Sequence, residues 1–349
     1  MIKKYLSTIF LLLFGILVTS FTFYGYQVVN APNILVDQPD RQVVIPNNAT
    51  FREIQTMFNE ERIVNNIVAF SFLAKILDYD KRIIPGKYLL KENMNNIDAI
   101  RLLRSGSQMP VNITFNNIRL KENIAERIVV NTSLTKRDFN KALDEFVENN
   151  DAGFTEQNII SMFIPNTYQV YFTITAKGLV DKMHDEYNKF WNESRSAKAK
   201  SLGMTPLEVS ILASIVQAES IKHDERPVIA GLYINRLKNG IPLQADPTLV
   251  FASGDFNLKR VLNVHKEVDS PYNTYKYRGL PPGPINMPEI GSIDAVLNYK
   301  QHDFIYMCAK EDFSGRHNFA NTLREHNNNA AKYQKALSIE MRKAKSKAQ

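Results

Sequence analysis

Apolar residues follow different rhythms along this chain, and each rhythm predicts a different element. The first is unbroken. From Tyr5 to Tyr26 there is no charged residue, and as a helix that run measures about 33 Å, enough to cross a hydrocarbon core of about 30 Å. It predicts a transmembrane helix over 5–26. A cleaved signal has a shorter apolar run of about 7–15 residues, and Tyr24 and Tyr26 stand where an interfacial aromatic belt lies. Lys3 and Lys4 hold the tail 1–4 on the cytoplasmic side, so the rest of the chain faces outward. Asn30 to Pro46 contains three prolines and little periodicity, which predicts a tether over 27–44.

Next comes a mixed rhythm over 45–115. Thr50-Phe-Arg-Glu53 forms a capping box, with Phe51, Ile54, Met57 and Phe58 at helical spacing behind it. Pro85-Gly86 marks a turn before a short strand, Lys87–Leu90. A second helix starts near Ile97, carries Ile100 and Leu103, and stops at Gly106. Val111–Phe115 alternates as a strand does. This is a small α+β module. Residues 116–203 form a connecting region, mostly helical from Leu120 to Phe190 and broken at Phe163–Tyr171. Asn192–Gly203, rich in Ser, Ala and Lys, has no apolar stripe and reads as a surface connection.

One residue breaks the pattern around it. Thr205-Pro-Leu-Glu208 is the strongest helix start in the chain, with a cap, a first-turn proline and the reciprocal acid. Behind it Ile211, Leu212, Ile215 and Val216 make a stripe at the 3.6 period, and Glu219 extends that stripe instead of the polar face. A carboxyl group on an apolar face has its pKa raised by desolvation and can protonate a leaving oxygen near neutral pH. A structural role is the alternative: a helix-end glutamate reaching solvent or pairing with Lys222 or Arg226.

Downstream, polar and aromatic residues gather at turns. Leu243-Gln-Ala-Asp-Pro-Thr248 holds an Asp-Pro turn between Gln244 and Thr248. Pro271-Tyr-Asn-Thr-Tyr275 groups two aromatics, an amide and a hydroxyl, and Arg278-Gly-Leu-Pro-Pro-Gly-Pro-Ile285 is a rigid loop. Amides, hydroxyls and flat rings are what a neutral sugar chain requires of its binding cleft.

Charge changes the picture only at the ends. Lys+Arg total 43 against 36 Asp+Glu, a net +7. Lys3 and Lys4 supply two of those charges. In the tail 332–349, Lys332, Lys335, Arg342, Lys343, Lys345 and Lys347 against Glu340 supply the other five. The body between is neutral, which argues against a nucleic-acid partner. With 14 Gly, 15 Pro and one Cys, the chain is neither collagen-like nor a disulfide scaffold. Cys308, in the apolar run Phe304–Ala309, reads as a buried strand position. The six histidines lack the H-E-x-x-H spacing, so no metal is expected. No G-x-x-x-x-G-K-[ST] loop or G-x-S-x-G elbow occurs, and no cofactor is expected.

The chain resembles the MltG/YceG-like family of endolytic murein transglycosylases. The resemblance is carried by Ile211-Leu-Ala-Ser-Ile-Val-Gln-Ala-Glu219, Gly231-Leu-Tyr-Ile-Asn-Arg-Leu237, Leu243-Gln-Ala-Asp-Pro-Thr248, Tyr272-Asn-Thr-Tyr275 and Gly279-Leu-Pro-Pro-Gly-Pro-Ile285, continuing through His317-Asn-Phe319 and Glu325-His-Asn327. It implies an α+β protein with a single N-terminal transmembrane helix, a LysM-like module over 45–115, a lysozyme-like catalytic domain over 204–331 and a basic tail. It also implies Glu219 as catalytic acid, with Gln244, Asp246, Thr248, Tyr272, Asn273, Tyr275 and Asn327 as substrate-binding residues. The implied partners are peptidoglycan strands, the cytoplasmic membrane with the catalytic domain outside it, and peptidoglycan synthases or division proteins. The implied reaction is non-hydrolytic cleavage of the MurNAc-β-1,4-GlcNAc bond to a 1,6-anhydro end. Two other readings are a hydrolytic muramidase, with Asp246 or Glu225 as second carboxylate, and a catalytically silent glycan-binding scaffold. Three departures from the family pattern stand out: Gln217 where many relatives carry a second Glu, Asn116-Asn117 in place of a Glu-Gly pair, and Asn166 in place of an Asp.

Overall fold

The computed structural model describes residues 2–258 and 260–347; Met1 of the expected cytoplasmic tail, Lys259, and Ala348 and Gln349 of the basic tail lie outside the described residues. The chain divides into two compact units. The first runs to Ile113 and adds Val129–Leu134 and Tyr168–Thr175; the second holds Thr114–Ile128, Thr135–Thr167 and the remainder.

The first unit opens with α1 (Ile2–Asn30), the one single helix among the described residues long and apolar enough to cross a membrane. Two short strands follow, β1 (Pro32–Ile34) and β2 (Arg41–Ile45), then α2 (Phe51–Glu60) and α3 (Ile67–Ile76). Next come β3 (Gly86–Leu90), β4 (Met94–Asn95), α4 (Asn96–Ser105) and β5 (Pro110–Phe115). β2 pairs antiparallel with β3, Val43 opposite Tyr88 and Ile45 opposite Gly86, and β1 pairs with β4. The Thr50 box closes as expected: Thr50 N donates to Glu53 Oε2 at 2.7 Å and Glu53 N to Thr50 Oγ1 at 3.3 Å. Gly106 ends α4 in the left-handed region at φ 72°, where a side chain would be strained.

The expected tether over 27–44 is instead folded structure. Its apolar residues Ile34, Leu35 and Val43 bury as β1 and β2 pair with β4 and β3, which outweighs the local effect of the prolines. Val28, in the last turn of α1, is itself buried, and its carbonyl accepts from Asn96 Nδ2 at 2.8 Å. α3 is so uniformly apolar that periodicity did not single it out.

β6 (Asn166–Tyr171), most of which belongs to the first unit, pairs with β5. The second unit contains most of α5 (Glu122–Val129) and all of α6 (Lys136–Asn149). Then come α7 (Ala176–Phe190), α8 (Glu193–Ser201), α9 (Pro206–Glu219) and α10 (Arg226–Lys238). The chain ends through α11 (Asp246–Ser253), α12 (Ile290–Leu297), the hairpin β7 (Tyr306–Ala309) and β8 (His317–Ala320), and α13 (Leu323–Lys347). α9 is central and packs on α8, α10, α11 and α12. Every residue from Val209 to Val216 is buried, not one stripe only. Ser214 fits that interior because its Oγ donates to Ile211 O at 2.7 Å and accepts from Ile285 N at 3.0 Å, tying the proline-rich loop to the helix.

Three local expectations change. The segment over 192–203 is a helix, α8, whose N-cap Asn192 accepts from Arg195 N at 3.0 Å; a stripe is missing because Ala199 alone on it is buried. Asp246-Pro247 does not turn the chain back but starts α11, with Pro247 in the first turn. Cys308 does sit on a strand, but half-buried at the edge of a cavity.

Candidate active site

Helix α9 delivers Glu219 in its last turn. Fourteen residues on, Tyr233 of α10 is buried, and its hydroxyl donates to Glu219 Oε1 at 2.6 Å. Among the described residues no group donates to the other carboxyl oxygen. One turn further along α10, Arg236 Nη2 donates to Gln244 Oε1 at 2.7 Å, and its guanidinium lies 5.8 Å from the Tyr306 ring centre. Gln244 holds a left-handed φ of 52°, which brings the next residues round to the start of α11. There Asp246 Oδ1 accepts from the Tyr275 hydroxyl at 2.6 Å, and Lys266 Nζ lies 5.0 Å from the Tyr275 ring centre.

Two cavities meet at these carboxylates. The larger, about 950 Å³, runs past Arg119, Phe251, Phe256, Arg260, Asn286 and Tyr333. The smaller, about 400 Å³, is walled by Tyr233, Arg236, Gln244, Tyr275, Tyr306 and His326. Glu219 and Asp246 line both. The carboxyl group therefore stands within a groove, with space for an extended ligand on either side.

Burial pushes the Glu219 pKa up to about 7; the Tyr233 hydrogen bond opposes that rise and the nearby Asp246 charge adds to it. Tyr233 is held far above its ordinary value by burial and by the Glu219 charge, so it stays a donor. Burial and the neighbouring Arg236 lower the His326 pKa, which favours the neutral ring. A carboxyl group near pH 7 can both give and take a proton at neutral pH.

The alternative salt-bridge role for Glu219 is not what the structure shows. Arg226 is buried and committed elsewhere: Nε donates to Ser220 O at 3.1 Å, and Nη1 to Glu289 Oε2 at 2.8 Å and Ser292 Oγ at 2.9 Å. Glu225 is also taken. It accepts from His317 N at 2.8 Å, lies 3.0 Å from His317 Nδ1, and accepts from Ser220 Oγ at 3.2 Å, bracing β8 against the end of α9. Of the two second carboxylates considered, only Asp246 lines the groove.

Gln244, Asp246 and Tyr275 thus sit with Glu219, and the other expected binding residues do not. Thr248 is fully buried, its Oγ1 donating to Ala245 O at 2.7 Å and sharing a 2.8 Å bond with Thr274. Asn273 is fully buried as well. Its amide donates to Lys266 O and Val268 O and accepts from Tyr275 N, so it shapes the loop that carries Tyr275. Tyr272 lies behind the larger cavity, its ring 4.6 Å from that of Phe251. Asn327 is exposed on α13 outside both cavities; its neighbour His326 faces the smaller one and stacks 5.4 Å from Tyr306. Tyr233, Arg236, Tyr306 and His326 are groove residues that sequence reasoning missed. Tyr233 and Arg236 lie inside a block already marked as distinctive, but nothing in spacing alone points from Tyr233 to Glu219.

The family departures find places too. Gln217 Oε1 accepts from Glu289 N at 2.6 Å and Ser292 Oγ at 3.0 Å, pinning α9 to α12. Asn117 lines the larger cavity, so that departure reaches the groove. Asn166 Oδ1 accepts from Thr167 N at 2.8 Å at the start of β6, outside both cavities.

These features define a class: a mixed helix-and-strand protein with a carboxyl group of raised pKa lining two adjoining cavities. Comparison with known proteins narrows it. The model of the YceG-like family matches residues 43–332, and the chain belongs to that family. A relative from Streptococcus pneumoniae serotype 2 named endolytic murein transglycosylase is 26% identical over 92% of this chain, which spans 64% of that relative's length. A Bacillus subtilis relative of the same name is 28% identical, covering 83% of each chain. The crystal structure of a YceG-like protein from Listeria monocytogenes aligns with a TM-score of 0.54 at 28% identity, covering 83% of this chain and 98% of that one.

Proposed function

We propose that the protein is a membrane-anchored endolytic peptidoglycan transglycosylase that cuts the MurNAc-β-1,4-GlcNAc bond, with Glu219 as acid and then base. The observation that carries this reading is the position of Glu219: a raised-pKa carboxyl group lining two cavities. An enzyme that cuts inside a strand must hold sugars on both sides of the scissile bond, and a groove passing its acid provides that. Glu219 protonates the glycosidic oxygen as its bond to C1 breaks. The resulting carboxylate then takes the proton of the muramyl C6 hydroxyl as that oxygen closes onto C1, leaving a 1,6-anhydro end and the acid restored. The nucleophile is part of the substrate, so no activated water is required. Tyr233 stabilises the carboxylate between the two halves.

Anchoring follows from α1, read as an uncleaved span with the catalytic domain outside the cytoplasmic membrane. The family resemblance supports a LysM-like module over 45–115, a lysozyme-like domain over 204–331, and a role at nascent strands beside synthases or division proteins, ending elongation. One observation favours a second reading. Asp246 shares the groove with Glu219 and adds to its pKa shift, as a base for an attacking water would in a hydrolytic muramidase.

Glu219→Gln is nearly isosteric and replaces the titrating carboxyl group by an amide that can neither give nor take the proton. On purified glycan strands it lowers kcat by about 10²- to 10⁴-fold, the usual contribution of a general acid–base. Unchanged turnover would remove Glu219 from the mechanism and leave the silent glycan-binding scaffold.

A further inference from the structure

We propose that α3 of the first unit lies on the same bilayer that α1 crosses, with Val68, Phe72 and Ile76 inserted among its lipids. The proposal rests on reading α1 as a membrane anchor. α3 buries Ala69, Phe70, Leu73 and Ala74 in the core of its unit. Its other side is apolar as well: Val68 is 71% exposed, Phe72 61% and Ile76 59%, at positions i, i+4 and i+8 on one line of the helix. Fully burying such side chains is worth about 1.5–3 kcal/mol each, so this face is costly in water.

What covers it follows from how α1 enters the unit. From Tyr5 to Tyr26 α1 is exposed and uncharged, and Val28 is already part of the unit's core. The interval from lipid to folded unit is therefore two residues, roughly 3 Å of helical rise. No flexible linker separates the two. α1 also packs directly on α3 and α4, which sets α3 beside the point where the anchor leaves the hydrocarbon. An apolar face there lies at the depth of the headgroups and upper acyl chains.

The charges nearby suit lipid. Lys75, between Phe72 and Ile76, is exposed, and α4, the other neighbour of α1, exposes Arg101 and Arg104 against one acid, Asp98. Apolar and aromatic insertion flanked by cations is the composition of an interfacial helix on an anionic membrane. Two attachments, α1 and α3, hold the unit against the bilayer, where one span alone would let it swivel.

The test uses the full-length chain with Cys308→Ser, reconstituted in phosphatidylethanolamine/phosphatidylglycerol vesicles. Single cysteines, Leu13→Cys in α1 or Lys75→Cys in α3, carry an environment-sensitive nitrobenzoxadiazole label. Expected is quenching of both labels by doxyl-labelled lipid and protection of both from aqueous iodide. Adding Val68→Ser and Phe72→Ser to the Lys75→Cys chain should shift that label toward iodide quenching, with the circular dichroism unchanged. The proposal is overturned if the residue 75 label is open to iodide from the start. It is overturned equally if that label is shielded from both quenchers, which in a purified system means contact with a second copy of the chain. A label at residue 13 that lipid does not quench would instead overturn the anchor reading.

Discussion

At the scale of the residue, Glu219 is tuned by two neighbours that pull in opposite directions. The Tyr233 hydroxyl stabilises the charged form, and the Asp246 carboxylate opposes it. Both act on a pKa that burial has already raised, so each neighbour should move the pH–rate profile in its own direction. An enzyme that needs Glu219 protonated loses kcat/KM as pH rises through about 7. Tyr233→Phe removes the donor to the carboxylate, and the descending limb moves to higher pH. Asp246→Asn removes the repelling charge, and the limb moves to lower pH. Profiles of kcat/KM for both variants read the two signs directly. Shifts in the same direction would mean that another group sets the limb.

At the scale of the element, the groove depends on how closely α10 approaches the chain behind it. Gly231 is on α10, two residues before Tyr233, and a Cβ there would meet the Lys300 carbonyl oxygen and the His302 ring. Gly231→Ala should cost roughly 1–3 kcal/mol through overpacking, read as a lower denaturation midpoint at unchanged slope. It should also weaken catalysis, because α10 carries both Tyr233 and Arg236. Elements with their own local signals were legible in the sequence: the capping boxes at Thr50 and Thr205, the stop at Gly106 and the stripe of α9. Elements made by partners were not. β1 and β2 bury because β4 and β3 lie beside them, α3 gives no amphipathic period to read, and the burial of α9 extends past the stripe that marked it. The site follows the same rule. Glu219 was legible because it broke a pattern, and Gln244, Asp246 and Tyr275 because they clustered at turns. Thr248 and Asn273 belong to those same turns but spend their polar atoms on holding them. Tyr233 and His326 reach the groove through tertiary packing, which spacing along the chain does not encode.

At the scale of the whole molecule, the carboxyl group proposed as the acid also makes stability depend on pH. Its ordinary value of 4.5 rises to about 7 in the folded chain. Between those pH values the folded state keeps a proton that the unfolded state releases, so this group's contribution to stability is present at low pH and declines as pH rises to about 7. Glu219→Gln removes that dependence. Relative to the parent chain its melting temperature should gain more at pH 8 than at pH 5, and an equal gain at both would contradict a buried, titrating acid. The net charge of +7 has no part in the chemistry: it lies in the two ends, and the neutral body contains the groove. The central claim is that Glu219 drives attack by the substrate's own C6 hydroxyl. Mass analysis of the new ends formed on glycan strands tests this most directly. The parent chain should release internal fragments ending in 1,6-anhydro-MurNAc, and Glu219→Gln should release almost none. Reducing ends heavier by one water would contradict the account and assign the groove to a hydrolase.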